Sequence, residues 1–288
     1  MRYGALESGG TKMVCAVGDE KGNILEKVLI PTTTPDETMT AIADYFKDKG
    51  ISALGIACFG PIDLDKNSPT YGYILKTPKP NWSNTNIVGT LKDALNVPVG
   101  FDTDVNGSLL GAVTWGAARG LTDAIYITIG TGIGGGILSG GKMVHGMLHP
   151  ELGHMKMTYA PGDTYKGNCP FHGNCFEGLA CGPAIEKRWG KKGIELSDRD
   201  EVWDTESFYI AQALSNLICI LSPQKIILGG GVMHQEKLLP LIRKKVLENL
   251  NDYLSTKELD DIDNYIVPAA LGDDQGILGA LKLAMDAV

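Results

Sequence analysis

The sequence predicts a two-lobed α/β protein whose sheets are covered by helices, and three observations carry that expectation. Strand-like apolar runs alternate with helical patterns along the whole chain, the mark of helices packed on sheets. The 288 residues are about twice a typical single domain. A Gly/Thr turn between two apolar strands occurs once near the start of each half: Glu7-Ser8-Gly9-Gly10-Thr11-Lys12 leads into MVCAVGDEKGNIL, and Gly130-Thr131-Gly132-Ile133-Gly134-Gly135-Gly136 into ILSGGKMV. A duplicated lobe, with its paired turns facing one another across a cleft, explains both; two ordinary glycine hairpins are the plainer alternative.

The elements follow in order. Thr34 at N-cap, Pro35 at N1 and Glu37 at N3 have the form of a capping box, and Met39, Ile42 and Phe46 continue at helical spacing until Gly50. The strand ALGIACFG follows, then a Pro- and Asn-rich excursion over 61–83, a helix over 87–95 and the strand VPVGFDT. Asp104 therefore stands at a strand's carboxyl end, entering the helix VNGSLLGAVTWGA. Ligand sites in α/β sheets gather at such ends. A second block opens near Leu121 with the strand AIYITIG, a Cys/His-rich loop, a helix over 207–221, the strand KIILGGG and a helix with Leu238, Leu241, Ile242, Val246 and Leu250 on one face. The last periodic segment, Ile277, Leu278, Leu281 and Met285, is a helix expected to cross back. The expected division is a small lobe of residues 1–118, with 274–288 packed onto it, and a larger lobe of 119–273.

Composition excludes several classes. A net charge of -8 leaves no broad basic surface and argues against nucleic acid as a partner. No apolar run approaches the roughly 18 residues of a membrane span, and Glu7 with two glycines breaks any signal-like core; a cytoplasmic protein is expected. Six cysteines then read as reduced thiols. Cys15, Cys58 and Cys219 lie in apolar runs and are expected to be buried. Glycine, at 37 of 288 residues, is about 13% against a usual share of roughly 7%, a surplus expected in special turns.

Three groups point to chemistry. Glycine lets successive N–H groups converge on an anion, while Thr11 and Thr131 add hydroxyls and Lys12 a charge. Both turns precede strand-like sequence, so they fit a two-loop phosphate clamp and neither the P-loop nor the Rossmann fingerprint. Asp104 is the acid placed for proton transfer from a bound hydroxyl, and a helix N-cap is its alternative role. His154, Cys169, His172 and Cys175 form H-x14-C-x2-H-x2-C, whose two thiolates and two imidazoles suit a closed, structural Zn²⁺ site. Cys181, in an apolar setting, reads as a buried thiol. His145, His149 and His234 read as surface or packing residues.

Taken together, the ordered motifs ESGGTK, FGPIDL, TPKPNW at 77–82, TDVNGSLLGA, GTGIGGGI, HPELGH, CGPAIE and LGGGVM resemble the ROK family of sugar kinases, within the actin-like ATPase superfamily of ribonuclease H-like fold, and most closely its bacterial fructokinase branch. The resemblance implies mixed sheets flanked by helices, a ligand cleft between lobes and ATP-dependent phosphorylation of a hexose on its 6-hydroxyl, with Asp104 as catalytic base. It implies that Gly9, Gly10, Thr11, Lys12, Thr131 and Gly132 hold phosphates, and that Gly182, Pro183, Gly229, Gly230 and Gly231 enclose the adenosine end. It places Glu7 at Mg²⁺, and Gly60, Pro61, Asn81, Thr103, Asp104, Glu151, His154 and Glu177 on the sugar side. The metal loop then fixes Glu151 and Glu177 against the sugar. Two departures matter: the family usually has Asp where Glu7 stands and Asn where Thr103 stands. The second moves the expected substrate toward D-fructose, with glucose and mannose as alternatives. A homodimer is implied by analogy. The family's repressors carry an added helix-turn-helix domain, for which a first turn beginning at residue 7 leaves no room; a silent sugar-binding module is opposed by the intact turns and Asp104.

Overall fold

The structure, a computed structural model, describes residues 1–77 and 79–288; Pro78, within the TPKPNW motif at 77–82, lies outside them. The chain forms two compact units, one of residues 1–120, 143–150 and 270–288, the other of residues 121–142 and 151–269.

The first unit begins with β1 (Tyr3–Ser8), β2 (Lys12–Gly18) and β3 (Ile24–Pro31), then α1 (Pro35–Phe46) and β4 (Leu54–Cys58). A small ribbon, β5 (Tyr73–Ile74) and β6 (Thr85–Asn86), precedes α2 (Ile87–Leu95), β7 (Val99–Thr103) and α3 (Asp104–Thr114). β1 pairs antiparallel with β2 and parallel with β4, and β4 parallel with β7, giving the order β3-β2-β1-β4-β7. α1 starts at Pro35 as predicted, because proline's fixed φ suits the first helical position, yet Thr34 makes no side-chain cap. The Thr38 hydroxyl instead accepts from Thr33 N at 3.0 Å. α2 has both ends the sequence foretold: Asn86 accepts from Gly89 N at 2.8 Å, and Asn96 closes it at φ 52°.

Period-two alternation sorts the strands' side chains onto two faces. Leu6, Cys15, Val17, Leu54, Ile56 and Cys58 meet Met39, Ile42 and Phe46 of α1 and Ile87 and Leu91 of α2. The opposite face carries Tyr3 and the small residues Ala5, Ala16, Ala53 and Ala57.

The second unit contains β8 (Ala124–Ile129), β9 (Ile133–Ser139), the first residue of β10 (Lys142–Met143), α4 (Phe176–Ala180), α5 (Gly182–Trp189), α6 (Asp200–Leu221), β11 (Lys225–Gly229), α7 (Leu238–Leu250), α8 (Lys257–Asp260), α9 (Ile262–Tyr265) and β12 (Ile266–Pro268). Its order is β10-β9-β8-β11-β12, with β8–β9 antiparallel and β8–β11 and β11–β12 parallel. Each sheet thus runs third, second, first, fourth, fifth strand, the repetition that the paired glycine turns announced. α6 begins seven residues before the expected start at Ser207, because Val202 and Trp203 already reach the core behind the polar run that masked them. Cys219 is a correction: it is exposed, since the helical period points Leu217 and Ile218 inward and turns its own side chain out.

The chain closes with α10 (Gln275–Met285), which belongs to the first unit and lays Ile277, Ala280, Leu281 and Ala284 on the alanine face of its sheet. Close approach decides the sequence here. A Cβ on Gly55 would lie 1.8 Å from the Ala280 carbonyl oxygen, and one on Gly279 1.7 Å from that of Gly107. The glycine surplus expected only in turns is thus partly spent at helix–sheet and helix–helix contacts. Among the described residues no helix is long and apolar enough to cross a membrane.

Candidate functional site

The first glycine turn joins β1 to β2. Gly9 N donates to the Lys12 carbonyl at 3.2 Å, and the Thr32 hydroxyl donates to the Gly9 carbonyl at 2.8 Å. Gly10 and Thr11 are exposed, and the Lys79 ammonium donates to the Gly10 carbonyl. Glu7 lies near the end of β1. Burial, then the negative charge of Asp104, pushes its carboxyl up to about 7, against the pull of Lys12 and Lys27. Two carboxylates therefore share one electrostatic neighbourhood beside the turn. The start of α10 leaves room for Glu7, because a Cβ on Gly276 would lie 2.4 Å from its carboxyl carbon.

Asp104 is the first residue of α3, and the N-cap is Thr103, whose hydroxyl accepts from Asn106 N at 3.1 Å. Capping thus falls to Thr103, which is buried with its oxygen committed to the helix. Asp104 accepts from Val105 N at 2.9 Å. Beside it the buried Asp102 accepts from Asn106 Nδ2 at 2.7 Å and pairs with His145 Nε2 at 3.0 Å. His145 stands on the surface as expected, with its side chain 39% exposed, and the structure adds an ion-pair partner that the sequence did not signal. His149 is buried, as packing implied, but it also accepts from Ile62 N at 3.3 Å, just after the cis Gly60–Pro61 bond. Asn81 sits exposed at φ 69°, followed by the buried Trp82, whose indole donates to the Thr33 carbonyl at 2.9 Å.

In the second unit Gly130 N donates to the Gly132 carbonyl at 2.9 Å, and Gly182 N to the Gly130 carbonyl at 2.8 Å. Ile133 N donates to Glu177 Oε2 at 2.9 Å, so the carboxylate expected to meet a sugar also closes the second turn. A cavity of about 900 Å³ opens here, lined by Thr131, Gly182, Pro183, Trp203, Gly231 and His234 among others. Its size suits a nucleotide-sized ligand. Gly132, Gly229 and Gly230 are not among the lining residues; a Cβ on Gly229 would meet the Tyr126 hydroxyl at 2.6 Å. His234, read as a surface or packing residue, is a cavity wall.

His154, Cys169, His172 and Cys175 converge, with ligand atoms all within 4.8 Å of one another. Cys169 Sγ lies 3.5 Å from His172 Nδ1 and 3.9 Å from His154 Nδ1, and Cys175 Sγ lies 3.6 Å from His154 Nδ1. A tetrahedral zinc with bonds of about 2.0–2.3 Å has donor–donor edges of roughly 3.3–3.8 Å. The S₂N₂ set therefore fits that ion. Burial is the main cause pushing the Cys175 thiol up to about 11. Cys181 is buried outside the group. Glu151 is exposed, just before the short turn Leu152–His154.

One cluster carried no sequence signal. Arg188 of α5 pairs with Asp163 of the metal loop at 3.1 Å, and the Tyr209 hydroxyl of α6 donates to Asp163 at 2.5 Å while accepting from Ala160 N at 3.0 Å. The metal loop is thereby tied to the helix whose first residues line the cavity. Glu206, fully buried nearby, is pushed well above the ordinary carboxyl range by that burial, with Arg188 opposing.

Sheet order, one glycine turn per half and an acid at the head of α3 define a duplicated ATPase-type chain of the actin-like class. Residues 3–287 match the ROK family, and the chain belongs to it. It is 48% identical over 288 residues to the fructokinase of Pediococcus pentosaceus, covering 100% of this chain and 99% of that one. The ROK hexokinase of Thermus thermophilus superposes with a TM-score of 0.83 at 26% identity, over 99% and 98% of the two chains. A ROK family glucokinase from Streptomyces griseus, solved with glucose and AMPPNP, gives 0.78 at 25% identity, over 99% and 100%.

Proposed function

We propose that this chain is a fructokinase, transferring the γ-phosphoryl group of ATP to the 6-hydroxyl of D-fructose to give D-fructose 6-phosphate and ADP. The observation that carries the reading is Asp104 at the head of α3, beside Glu7 and the first glycine turn, with capping left to Thr103. Likeness supports the sugar: identity is 48% to a fructokinase and 25% to a glucokinase. Thr103 supports it too, because its hydroxyl is committed to the helix and leaves the sugar a different set of partners from the asparagine usual there.

Asp104 accepts the proton of the attacking hydroxyl, assistance worth roughly 10²- to 10⁴-fold. The backbone of Gly9–Thr11, the Lys12 ammonium, Thr131 and Gly132 orient the phosphates, since such transfer is mostly positioning and charge stabilisation. Gly182, Pro183 and Gly231 enclose the adenosine end in the second unit's cavity, with Gly229 and Gly230 shaping the loop behind. Gly60, Pro61, Asn81, Glu151, His154 and Glu177 orient the sugar. Glu7 would hold Mg²⁺, which when bound neutralises phosphate charge. His154, Cys169, His172 and Cys175 would hold Zn²⁺, which closes their loop and fixes Glu151 and Glu177. The protein acts as a cytoplasmic homodimer.

The test is ADP release with MgATP across fructose, mannose and glucose. Fructose should give the highest kcat/KM; a clear preference for glucose or mannose overturns the sugar, and no sugar-dependent ADP overturns the activity.

A further inference from the structure

Residues 143–150 belong to the first unit although the chain on either side belongs to the second, and two histidines fasten them. His145 Nε2 lies 3.0 Å from Asp102 Oδ2 and 3.2 Å from Oδ1. Asn106 Nδ2 donates to the same Oδ1 at 2.7 Å, and Thr103 N donates to it at 2.7 Å. Asp102 lies at the end of β7 and Asn106 in the first turn of α3, so this network brackets Asp104 from both sides of the chain. Asp102 is 5% exposed, and a carboxylate so buried needs an opposite charge or several donors. Four residues on, the His149 imidazole accepts from Ile62 N and packs where a Cβ on Gly60 would meet it at 3.2 Å. One short segment thus grips both the turn that carries the acid and the turn assigned to the sugar.

We propose that residues 143–150 form a two-histidine strap in which His145 is a positioning residue for phosphoryl transfer: through Asp102 and Asn106 it fixes the turn bearing Asp104, while His149 fixes Gly60–Pro61. The proposal rests on the fructokinase reading. His145 acts through Asp102, because its Nε2 is committed to that carboxylate. Hydrogen bonding to Asp102 raises the imidazole above the ordinary histidine value; the ion pair is present below that ordinary value and is lost as pH rises through the raised one. The groups facing it are Asp102 from β7 and Asn106 from α3, and the Tyr71 phenol, raised by burial and by the Asp102 charge, lies beyond.

The experiment compares His145→Ala and His145→Gln with the parent, alongside Asp104→Asn. Displacing the acid by a fraction of an ångström should cut kcat/KM for fructose about 10- to 100-fold in His145→Ala, while leaving KM for MgATP within about twofold. His145→Gln, whose amide N–H stands near the Nε2 position, should recover most of that loss and lack the parent's alkaline fall in kcat/KM. Parental kcat/KM in His145→Ala, equal losses in both variants, or an alkaline fall retained in His145→Gln overturns the strap; if the alanine variant does not fold, the glutamine pH profile decides. Parental turnover in Asp104→Asn overturns the functional reading and the strap with it. Collapse of Asp104→Asn beside an unaffected His145→Ala overturns the strap alone.

Discussion

The two five-stranded sheets share one strand order, yet their glycine turns are furnished differently. In the first unit the turn stands beside two carboxylates, Glu7 and Asp104, each close enough to feel the other. In the second a carboxylate, Glu177, is hydrogen-bonded into the turn itself, and the same unit holds a cavity and an S₂N₂ cluster. The fourth strands differ as well: β4 is LGIAC and admits α10 through Gly55, whereas β11 is KIILG and buries Ile226, Ile227 and Leu228. Duplication thus supplied one frame twice, furnished with two neighbouring acids in the first unit and with a cavity and a Cys/His cluster in the second.

That division is open to attack from either side. The largest effect is expected from Asp104→Asn, which should lower kcat about 10²- to 10⁴-fold while calorimetry finds fructose and ATP bound as in the parent; weakened ATP binding would blur the division. Next, Gly55→Ala forces a methyl against the Ala280 carbonyl and should cost about 1–3 kcal/mol by overpacking, read as a lower denaturant midpoint. An Ile226→Val change in the matching strand should cost only about 0.5–1.5 kcal/mol, so equal losses would remove the contrast. Cys175→Ser should lower the Zn²⁺ content that elemental analysis measures against the parent and raise KM for MgATP about tenfold, because the loop that carries Glu177 holds the second turn. An unchanged KM would separate the metal from that turn.

A further test, read as a slope with pH, concerns Glu206. Its folded-state carboxyl is raised by burial, so the native state holds the proton that the unfolded chain releases, and stability falls as pH rises from the ordinary carboxyl range toward the raised value. Within that window each pH unit costs up to about 1.4 kcal/mol. Glu206→Gln should flatten that slope in thermal melts at several pH values; an unchanged slope would assign it to other groups.

Much of this was legible before any coordinates, and the reasons are local. Proline at N1 set the start of α1, the expected helix over 87–95 is α2, and the H-x14-C-x2-H-x2-C spacing marked four side chains that converge. What stayed hidden depended on partners distant in sequence. Nothing around His145 announces Asp102, forty-three residues away. Arg188, Asp163 and Glu206 lie in ordinary helical or loop patterns and acquire meaning only when α5, α6 and the metal loop pack. Gly55 reads as a weak spot in a strand until α10 returns from the chain's far end. Cys219 misled because an apolar run does not say which of its residues a helix will turn outward.

As proposed, this chain places ATP's terminal phosphoryl group on the primary 6-hydroxyl of fructose. Phosphorus NMR of a reaction containing fructose and MgATP tests it directly. The expected product is a single sugar phosphate, fructose 6-phosphate, formed one for one with ADP; phosphate on another hydroxyl, or ADP formed without a sugar phosphate, would contradict the proposed transfer.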